Sequence, residues 1–165
     1  MNKFAQELSD FDPISSIRRS AYIIKRLRMT STSKINVTKL QKILYCCYGA
    51  VLGAYHRVLL DERPEAWSTG PIFPFALKVM QTLTIDEISM INTNDVECLP
   101  LQMVQFLNSV IDFFGQYTGE QLASWSRRCT PWKSAGKYEI INNEAITDYF
   151  ATQIEIGRAS CRERV

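Results

Sequence analysis

The stretch NVTKLQKILYCCYGAVLGAYH, Asn36 to His56, decides which fold class the chain adopts. Its apolar residues recur at the spacing of one helix face. This line of residues comprises Val37, Leu40, Leu44, Cys47 and Val51. The uncharged run from Ile43 to Tyr55 contains three tyrosines and is too short to span a bilayer. The stretch therefore predicts a long helix that packs inside a protein and does not cross a membrane.

Two glycines, Gly49 and Gly53, lie four residues apart on this predicted helix. Residues at that spacing share a helix face, and glycines there let a second helix approach closely. In a protein without a membrane span, the pair predicts close packing of another helix against this one.

The phrase EAWSTGPIFP, Glu65 to Pro74, follows the helix and predicts a rigid turn. Pro71 and Pro74 restrict their own φ and the residues before them, and Gly70 can adopt a positive φ. We expect this turn to pack Trp67 against the long helix and to start the next helix at Pro71 or Pro74. A second turn of similar composition, CTPWKSAGK, contains Pro131 beside Trp132.

The rest of the chain predicts further helices around the first one. Asp12 and Pro13 suit an N-cap and first helical position, and apolar periodicity follows them. Helical patterns also mark PFALKVMQTL, LQMVQFLNSVIDFFGQY, GEQLASWSRR and NNEAITDYFATQ, whereas residues 84–100 look like a loop or variable insert. We expect a compact, mainly α single domain of about six helices, with at most a small β element near residues 59–67.

Composition favours a protein without catalytic or metal chemistry. The five cysteines have no C-x-x-C spacing, adjacent Cys46 and Cys47 diverge on a helix, and His56 is the only histidine. Sequence signatures of hydrolases, nucleotide-binding loops and zinc proteases are missing. The first twelve residues do not resemble a signal peptide. We expect a cytoplasmic, non-enzymatic binding protein with no metal and no cofactor.

The last ten residues, IGRASCRERV, Ile156 to Val165, have no apolar periodicity and match the translation of a common sequencing adapter. We interpret residues 156–165 as a read-through tail that is not part of the domain at residues 1–153; a basic tail that binds nucleic acid is the alternative. Without this tail, 19 basic and 17 acidic residues become 16 of each. Net charge then gives no argument for nucleic-acid binding.

The chain resembles the Panacea domain, the SocA-like family of bacterial and phage proteins. The first motif of the resemblance is K-L-Q-K-x-L-Y, from Lys39 to Tyr45, and the second is E-A-W-x-x-G-P-x-x-P, from Glu65 to Pro74. Later matches are Pro131, Trp132, Lys133, Ile146, Tyr149 and Phe150, so the resemblance covers residues 12–153. It implies a compact helical domain that often acts as an antitoxin, binds a toxin protein directly and performs no catalysis.

The chain departs from this family at the second turn. Relatives usually carry a histidine and an acidic residue before the P-W pair, where this chain has Arg127, Arg128 and Cys129. Near the first turn, Phe75 and Leu77 replace a commonly polar residue and a tyrosine. A pocket at the second turn would then be more cationic than in relatives and better suited to an anion, which puts the family's usual partner in question.

These observations nominate a binding surface where the two turns and one face of the long helix meet. Its predicted members are Tyr45, Tyr48, Trp67, Arg127, Arg128, Trp132 and Lys133, shaped by the turn residues Gly70, Pro71, Pro74 and Pro131. Large aromatic residues beside arginine are common interface anchors. Core packing of the aromatic rings and a solvated surface for the cations are the alternatives.

Two partners fit such a surface. The first is a toxin protein, which would make the chain an antitoxin or inhibitor. The second is a small anionic, nucleotide-like signal, gripped by Arg127, Arg128 and Lys133 and stacked on an aromatic ring. A phage counter-defence protein would use the second, and a homo-oligomer with a pocket between its subunits would favour it. We expect no membrane partner, and nucleic acid is disfavoured by the neutral body.

Overall fold

The computed structural model describes residues 12–31 and 33–163, with the backbone alone for Glu97 and residues 154–163. Within these residues the chain forms nine helices and a two-stranded sheet, and the mainly α prediction is confirmed. The elements are α1 (Ser16–Thr30), α2 (Val37–Tyr55), β1 (Glu65–Trp67), β2 (Gly70–Ile72), α3 (Pro74–Thr82), α4 (Ile85–Ser89), α5 (Asn94–Glu97), α6 (Leu101–Gly115), α7 (Gly119–Arg128), α8 (Thr130–Lys133) and α9 (Asn143–Glu163).

Helix α2 is the centre of the fold. Asn36 caps its start by accepting the backbone N–H of Lys39, and His56 ends it in the left-handed conformation at φ 55°. Every residue from 39 to 52 is buried, because α1, α6, α7 and α9 pack around the helix. From Ile43 onward the uncharged run supplies the apolar residues that a helix buried on all sides needs. The buried Lys39, Gln41 and Lys42 before it hydrogen-bond to backbone groups.

The glycine pair allows α9 to lie directly on α2. A side-chain Cβ at Gly53 would come within 2.7 Å of the backbone nitrogen of Ala151, and one at Gly49 would overlap the ring of Phe150. Only glycine permits this separation, so the predicted close helix packing is confirmed. The hydroxyl of Tyr48 also donates to Asn143 at 2.7 Å at the start of α9.

The first helix starts later than the sequence predicts. The backbone of Ile14 pairs with the segment after α2, donating to the carbonyl of Leu59 at 2.8 Å and accepting from Asp61 at 3.0 Å. Residues 12–14 are therefore not helical, and Ser15 replaces Asp12 as the N-cap of α1. The predicted start at Asp12 and Pro13 was wrong because this long-range pairing overrides the local signal.

Residues 84–100 are not the predicted loop, since they contain α4 and α5. A capping box starts α4, in which the side chains of Thr84 and Glu87 each bind the other's backbone N–H. Ile88 and Val96 are fully buried and anchor the two short helices on the core. The T-x-x-E spacing was the signal for α4 in the sequence.

A carboxylate joins the starts of α1 and α3. The side chain of Glu62 accepts the N–H groups of Phe75 and Ala76, each at 2.9 Å, and the hydroxyl of Ser16 at 2.5 Å. Phe73, the N-cap residue of α3, provides no side-chain cap of its own. Glu62 therefore supplies the cap from outside the helix, and α3 starts at Pro74, one of the two predicted positions.

The predicted small β element is confirmed and extends to Ile72. β1 and β2 pair antiparallel, with Trp67 opposite Gly70 at the turn, where Gly70 has φ 114°. The backbone of α9 continues to Glu163. The interpretation of residues 156–165 as a read-through tail stays a prediction, and the predicted domain's residues 1–11 lie outside the described part. No helix of the described residues is long and apolar enough to cross a bilayer.

Candidate binding site at the tryptophan corners

The polar residues of the K-L-Q-K motif lie inside the protein, and each holds a different neighbour. The ammonium group of Lys39 donates to the carbonyl of Gly115 at 2.6 Å and fastens the end of α6 to α2. Gln41 binds the backbone of Phe73, accepting its N–H at 2.8 Å and donating to its carbonyl at 3.3 Å. This side chain therefore holds the junction between β2 and α3.

Lys42 holds the first turn at Pro71, two residues before Phe73. Its ammonium donates to the carbonyl of Pro71 at 3.0 Å, and its side chain is 1% exposed. Burial, followed by the nearby positive charge of Arg127, lowers the pKa of Lys42 to about 8. Buried ammonium groups lose hydration, which favours the neutral form. The motif therefore positions the first turn on α2 and leaves the turn's outer side for other contacts.

The two tryptophan corners, which we define as residues 65–74 and 129–137, meet in space. The indole N–H of Trp132 donates to the backbone carbonyl of Trp67 at 2.8 Å. The indole N–H of Trp67 in turn donates to the carboxylate of Glu65 at 3.0 Å. Both tryptophans are half-buried, and Pro131 is buried below Trp132 in α8. The corners thus form one continuous surface.

A pocket of about 310 Å³ lies between the corners, and we call it the tryptophan pocket. Its lining residues are Ala66, Trp67, Ser68, Trp132, Lys133, Ala135 and Lys137. The ring of Tyr138 packs edge-on to Trp67 with centroids 5.5 Å apart, and the ammonium of Lys137 lies 5.3 Å from the centroid of the tyrosine ring. Two lysines and three aromatic rings therefore surround this part of the surface.

Tyr45 and Tyr48 do not reach that surface. Their exposed fractions are 1% and 0%, and their rings pack edge-on against Phe150 and Phe73. Burial raises the pKa of Tyr45 well above its usual value and raises the pKa of Tyr48 as well. In this conformation both side chains support the site from the core and have no face open to a partner.

A comparison with family models matches residues 40–133 to the antitoxin SocA-like Panacea domain. The match runs from α2 through the first tryptophan corner into the second, where it ends at Lys133, and it covers more than half of the chain. The chain belongs to the SocA-like Panacea family. No curated protein and no solved structure matches it.

The three cations predicted for this Panacea domain's site do not form one cluster. Lys133 lines the tryptophan pocket, whereas Arg128 lines a separate groove of about 550 Å³ beside Phe113 and Trp125. Arg128 is held there by a 2.9 Å hydrogen bond to the hydroxyl of Ser124. Arg127, adjacent to Arg128 and so about 100° around α7, lies close enough to Lys42 to lower its pKa.

Two residues of the Panacea domain's surface, Lys137 and Tyr138, are not among the site residues predicted from the sequence. Tyr138 has φ 62°, a left-handed conformation that tyrosine rarely adopts, and the side chain is 53% exposed. The sequence predicts a turn at CTPWKSAGK but gives no periodic signal that places Tyr138, the residue after it. Only the pairing of this segment with β1 brings the ring to Trp67.

Of the cysteines whose side chains the structure describes, Cys46, Cys47 and Cys129 are buried and Cys98 is exposed. Burial raises the pKa of the Cys46 and Cys47 thiols. The Sγ atom of Cys129 lies 3.2 Å from the carbonyl oxygen of Trp125 and 3.1 Å from the hydroxyl oxygen of Tyr149, within hydrogen-bond distance of both. Among the residues that the structure describes, Cys46, Cys47, Cys98 and Cys129 are free thiols, and no group of three metal-ligating side chains is present.

Proposed function

We propose that this Panacea domain neutralises a toxin protein by binding it directly through the tryptophan corners. The observation that carries the proposal is the hydrogen bond from Trp132 to the carbonyl of Trp67, which joins the corners around an open pocket. Half-buried tryptophans are typical interface anchors, because aromatic residues are enriched at the core of interfaces.

The corners need little ordering before they bind. Gly70 and Pro71 restrict the backbone of the hairpin. Lys42 donates to the carbonyl of Pro71, and Trp132 donates to the carbonyl of Trp67. Side chains and loops that are already ordered lose less entropy on association. The proposed mechanism is occupancy: the bound domain covers the toxin's own working surface, and no covalent bond changes.

Co-expression tests the proposal. Reading frames adjacent to this gene are expressed from an inducible promoter, and growth is followed with and without the domain. We expect one frame to arrest growth and the domain to restore it. Lys133→Glu should weaken this rescue because it reverses charge at the pocket, whereas Arg128→Glu, in the separate groove, is the matched control and should rescue fully. A neighbourhood without a toxic frame, or equal rescue by both variants, contradicts the proposal.

A second candidate function is sequestration of a small anionic nucleotide, as in phage counter-defence. It is favoured by the lysine pair, Lys133 and Lys137, beside Trp67 and Trp132 in a pocket of about 310 Å³. A lysine can pair with a phosphate while an aromatic face stacks on the base. Thermal unfolding with cyclic and phosphorylated nucleotides tests it; a true ligand at a hundredfold excess over its Kd stabilises by about 2.7 kcal/mol.

A further inference from the structure

Residues 138–141, which we call the edge segment, follow the second corner and extend the small sheet beside β1. Ala66 donates to the carbonyl of Glu139 at 2.9 Å and accepts from the N–H of Tyr138 at 2.8 Å. Ile141 donates to the carbonyl of Pro64 at 2.9 Å. The edge segment therefore runs antiparallel to β1. Tyr138 and Glu139 together oppose one residue, Ala66, as in a β-bulge.

This register leaves one residue with both backbone groups at the open edge. Ile140 pairs with Glu65 in an antiparallel bridge that is flanked by the bonds to Pro64 and Ala66. In such a non-hydrogen-bonded pair, the two residues point their own N–H and C=O groups away from each other. Within the described part of the chain, no hydrogen bond reaches those groups of Ile140. Another strand can bind there.

The exposed face of the edge segment carries large apolar side chains. Tyr138 and Ile140 are each 53% exposed, and Phe75, which lines a pocket of about 390 Å³ with Ile140, is 67% exposed. Trp67 lies next to Tyr138, so the rings and the isoleucine make one strip across the sheet. Surface apolar residues that cluster in this way mark interaction sites.

Both signs of charge border the strip, and its tryptophan end is positive. Lys133 and Lys137 line the tryptophan pocket, whose described lining residues include no carboxylate. At the other end Lys78 and Arg63 lie with Glu62 and Glu65, and the exposed Glu139 stands between Tyr138 and Ile140 in the chain. The tryptophan end therefore complements a partner that carries negative charge.

We infer that the toxin presents an extended, acidic segment that adds to the edge at Ile140 as a further strand. The inference rests on the proposed function and names the class of partner segment. Backbone bonds to Ile140 supply register, apolar side chains of the segment cover Tyr138 and Ile140, and its carboxylates meet Lys133 and Lys137. Tyr138 and Ile140 lie beyond residues 40–133, so this contact belongs to the part of the chain outside the family match.

Peptide probes test the backbone and charge requirements separately. The full-length domain is titrated, with intrinsic tryptophan fluorescence as the readout, against a short peptide in which glutamate and valine alternate. Matched peptides carry lysine in place of glutamate, or N-methyl groups on alternate backbone nitrogens. We expect saturable binding of the acidic peptide that weakens with salt, and at least about tenfold weaker binding of both matched peptides. Equal binding of the N-methylated peptide, or no binding of the acidic one, overturns the inference.

Variants of the domain separate this contact from the fold. Tyr138→Gly suits the left-handed backbone, so we expect it to keep the midpoint of thermal unfolding and to bind the acidic peptide at least about tenfold more weakly. Met90→Ala removes an 84% exposed side chain elsewhere and should leave binding unchanged. If Tyr138→Gly still rescues growth from a toxin as the unaltered domain does, the strand contact is refuted while direct neutralisation stands. If no adjacent frame is toxic, the proposed function itself fails.

Discussion

Gly70 lies directly against the side chain of Lys42. A Cβ on Gly70 would come within 2.9 Å of Cε of Lys42 and within 2.6 Å of the hydroxyl oxygen of Ser126, and the residue has φ 114°. The hairpin of the first corner therefore rests on α2 and α7 with no space for a side chain. This contact explains why a glycine stands at this point of the E-A-W-x-x-G-P motif.

Gly70→Ala should destabilise the domain by at least about 2 kcal/mol, since it combines a backbone conformation unsuited to alanine with a steric clash. Urea unfolding measures the change. Gly136→Ala is the matched control, because the three atoms nearest to a Cβ there belong to the flexible carboxylate end of the exposed Glu139, and it should cost less than about 1 kcal/mol. Equal costs for the two variants would refute the close approach at Gly70.

Gln41→Met should cost about 1–3 kcal/mol in the free energy of unfolding. Methionine has a similar size, but the substitution leaves the buried N–H of Phe73 without its partner, whereas the carbonyl of Phe73 keeps its hydrogen bond from the N–H of Leu77 at 3.0 Å. Denaturant titration checks it. Gln121→Met is a control of the same chemistry on the surface, where an exposed glutamine serves only a capping box. A cost at position 41 no larger than at position 121 would contradict the stabilising role of the hydrogen bonds between Gln41 and the backbone of Phe73.

Trp132→Phe keeps a ring in the second corner but removes the donor to the carbonyl of Trp67. We expect a loss of about 1 kcal/mol in the free energy of unfolding, the usual value of a hydrogen bond between uncharged groups. Rescue of growth from the toxin should fall by more than this loss of stability explains, because the hydrogen bond that fixes the two corners relative to each other is lost. Urea unfolding and the growth assay together check it; unchanged rescue at reduced stability would limit this bond to a structural role.

Lys42 should give the domain a pH dependence that Lys42→Met lacks. In the unfolded chain the lysine binds its proton up to about pH 10.5, whereas in the folded protein its pKa is about 8. Between these values the unfolded state binds more protons, so Lys42's contribution makes the fold more stable as pH rises. The difference in unfolding free energy, unaltered protein minus variant, should increase by about 3 kcal/mol over this window.

Unfolding in urea at several pH values from 7 to about 10 measures this difference. Subtracting the variant removes the opposite trend of the buried thiols and phenols, which both proteins share. A difference that stays level, or that falls as pH rises, would show that the ammonium of Lys42 is not buried as the structure has it.

Much of the fold could be predicted from the sequence because its signals are local. The periodicity of α2, the glycine spacing at Gly49 and Gly53, and the proline that starts α3 each depend on residues close together in the chain. The errors at Asp12 and at residues 84–100 have different causes. A long-range backbone pairing at Ile14 prevents helix formation at the first, and a capping box at Thr84 was overlooked at the second.

The candidate site was only partly predictable, because α2 is buried on every side. A helix that is apolar all round gives no periodic sign of which face is open, so Tyr45 and Tyr48 could not be assigned to the core from the pattern alone. The cations on α7 and α8 diverge for a similar reason: adjacent helix positions point about 100° apart, and only the packed neighbours decide which groove each one lines.

The sequence by itself determined the central helix, the glycine face that receives α9, and two stiff corners that each carry a tryptophan. Each follows from the backbone preferences and apolar spacing of a single segment. Tertiary structure alone decided that Trp132 binds the carbonyl of Trp67 and that Tyr138 lies beside them. Those contacts join segments about 65–70 residues apart, and their geometry exists only after the helices pack around α2.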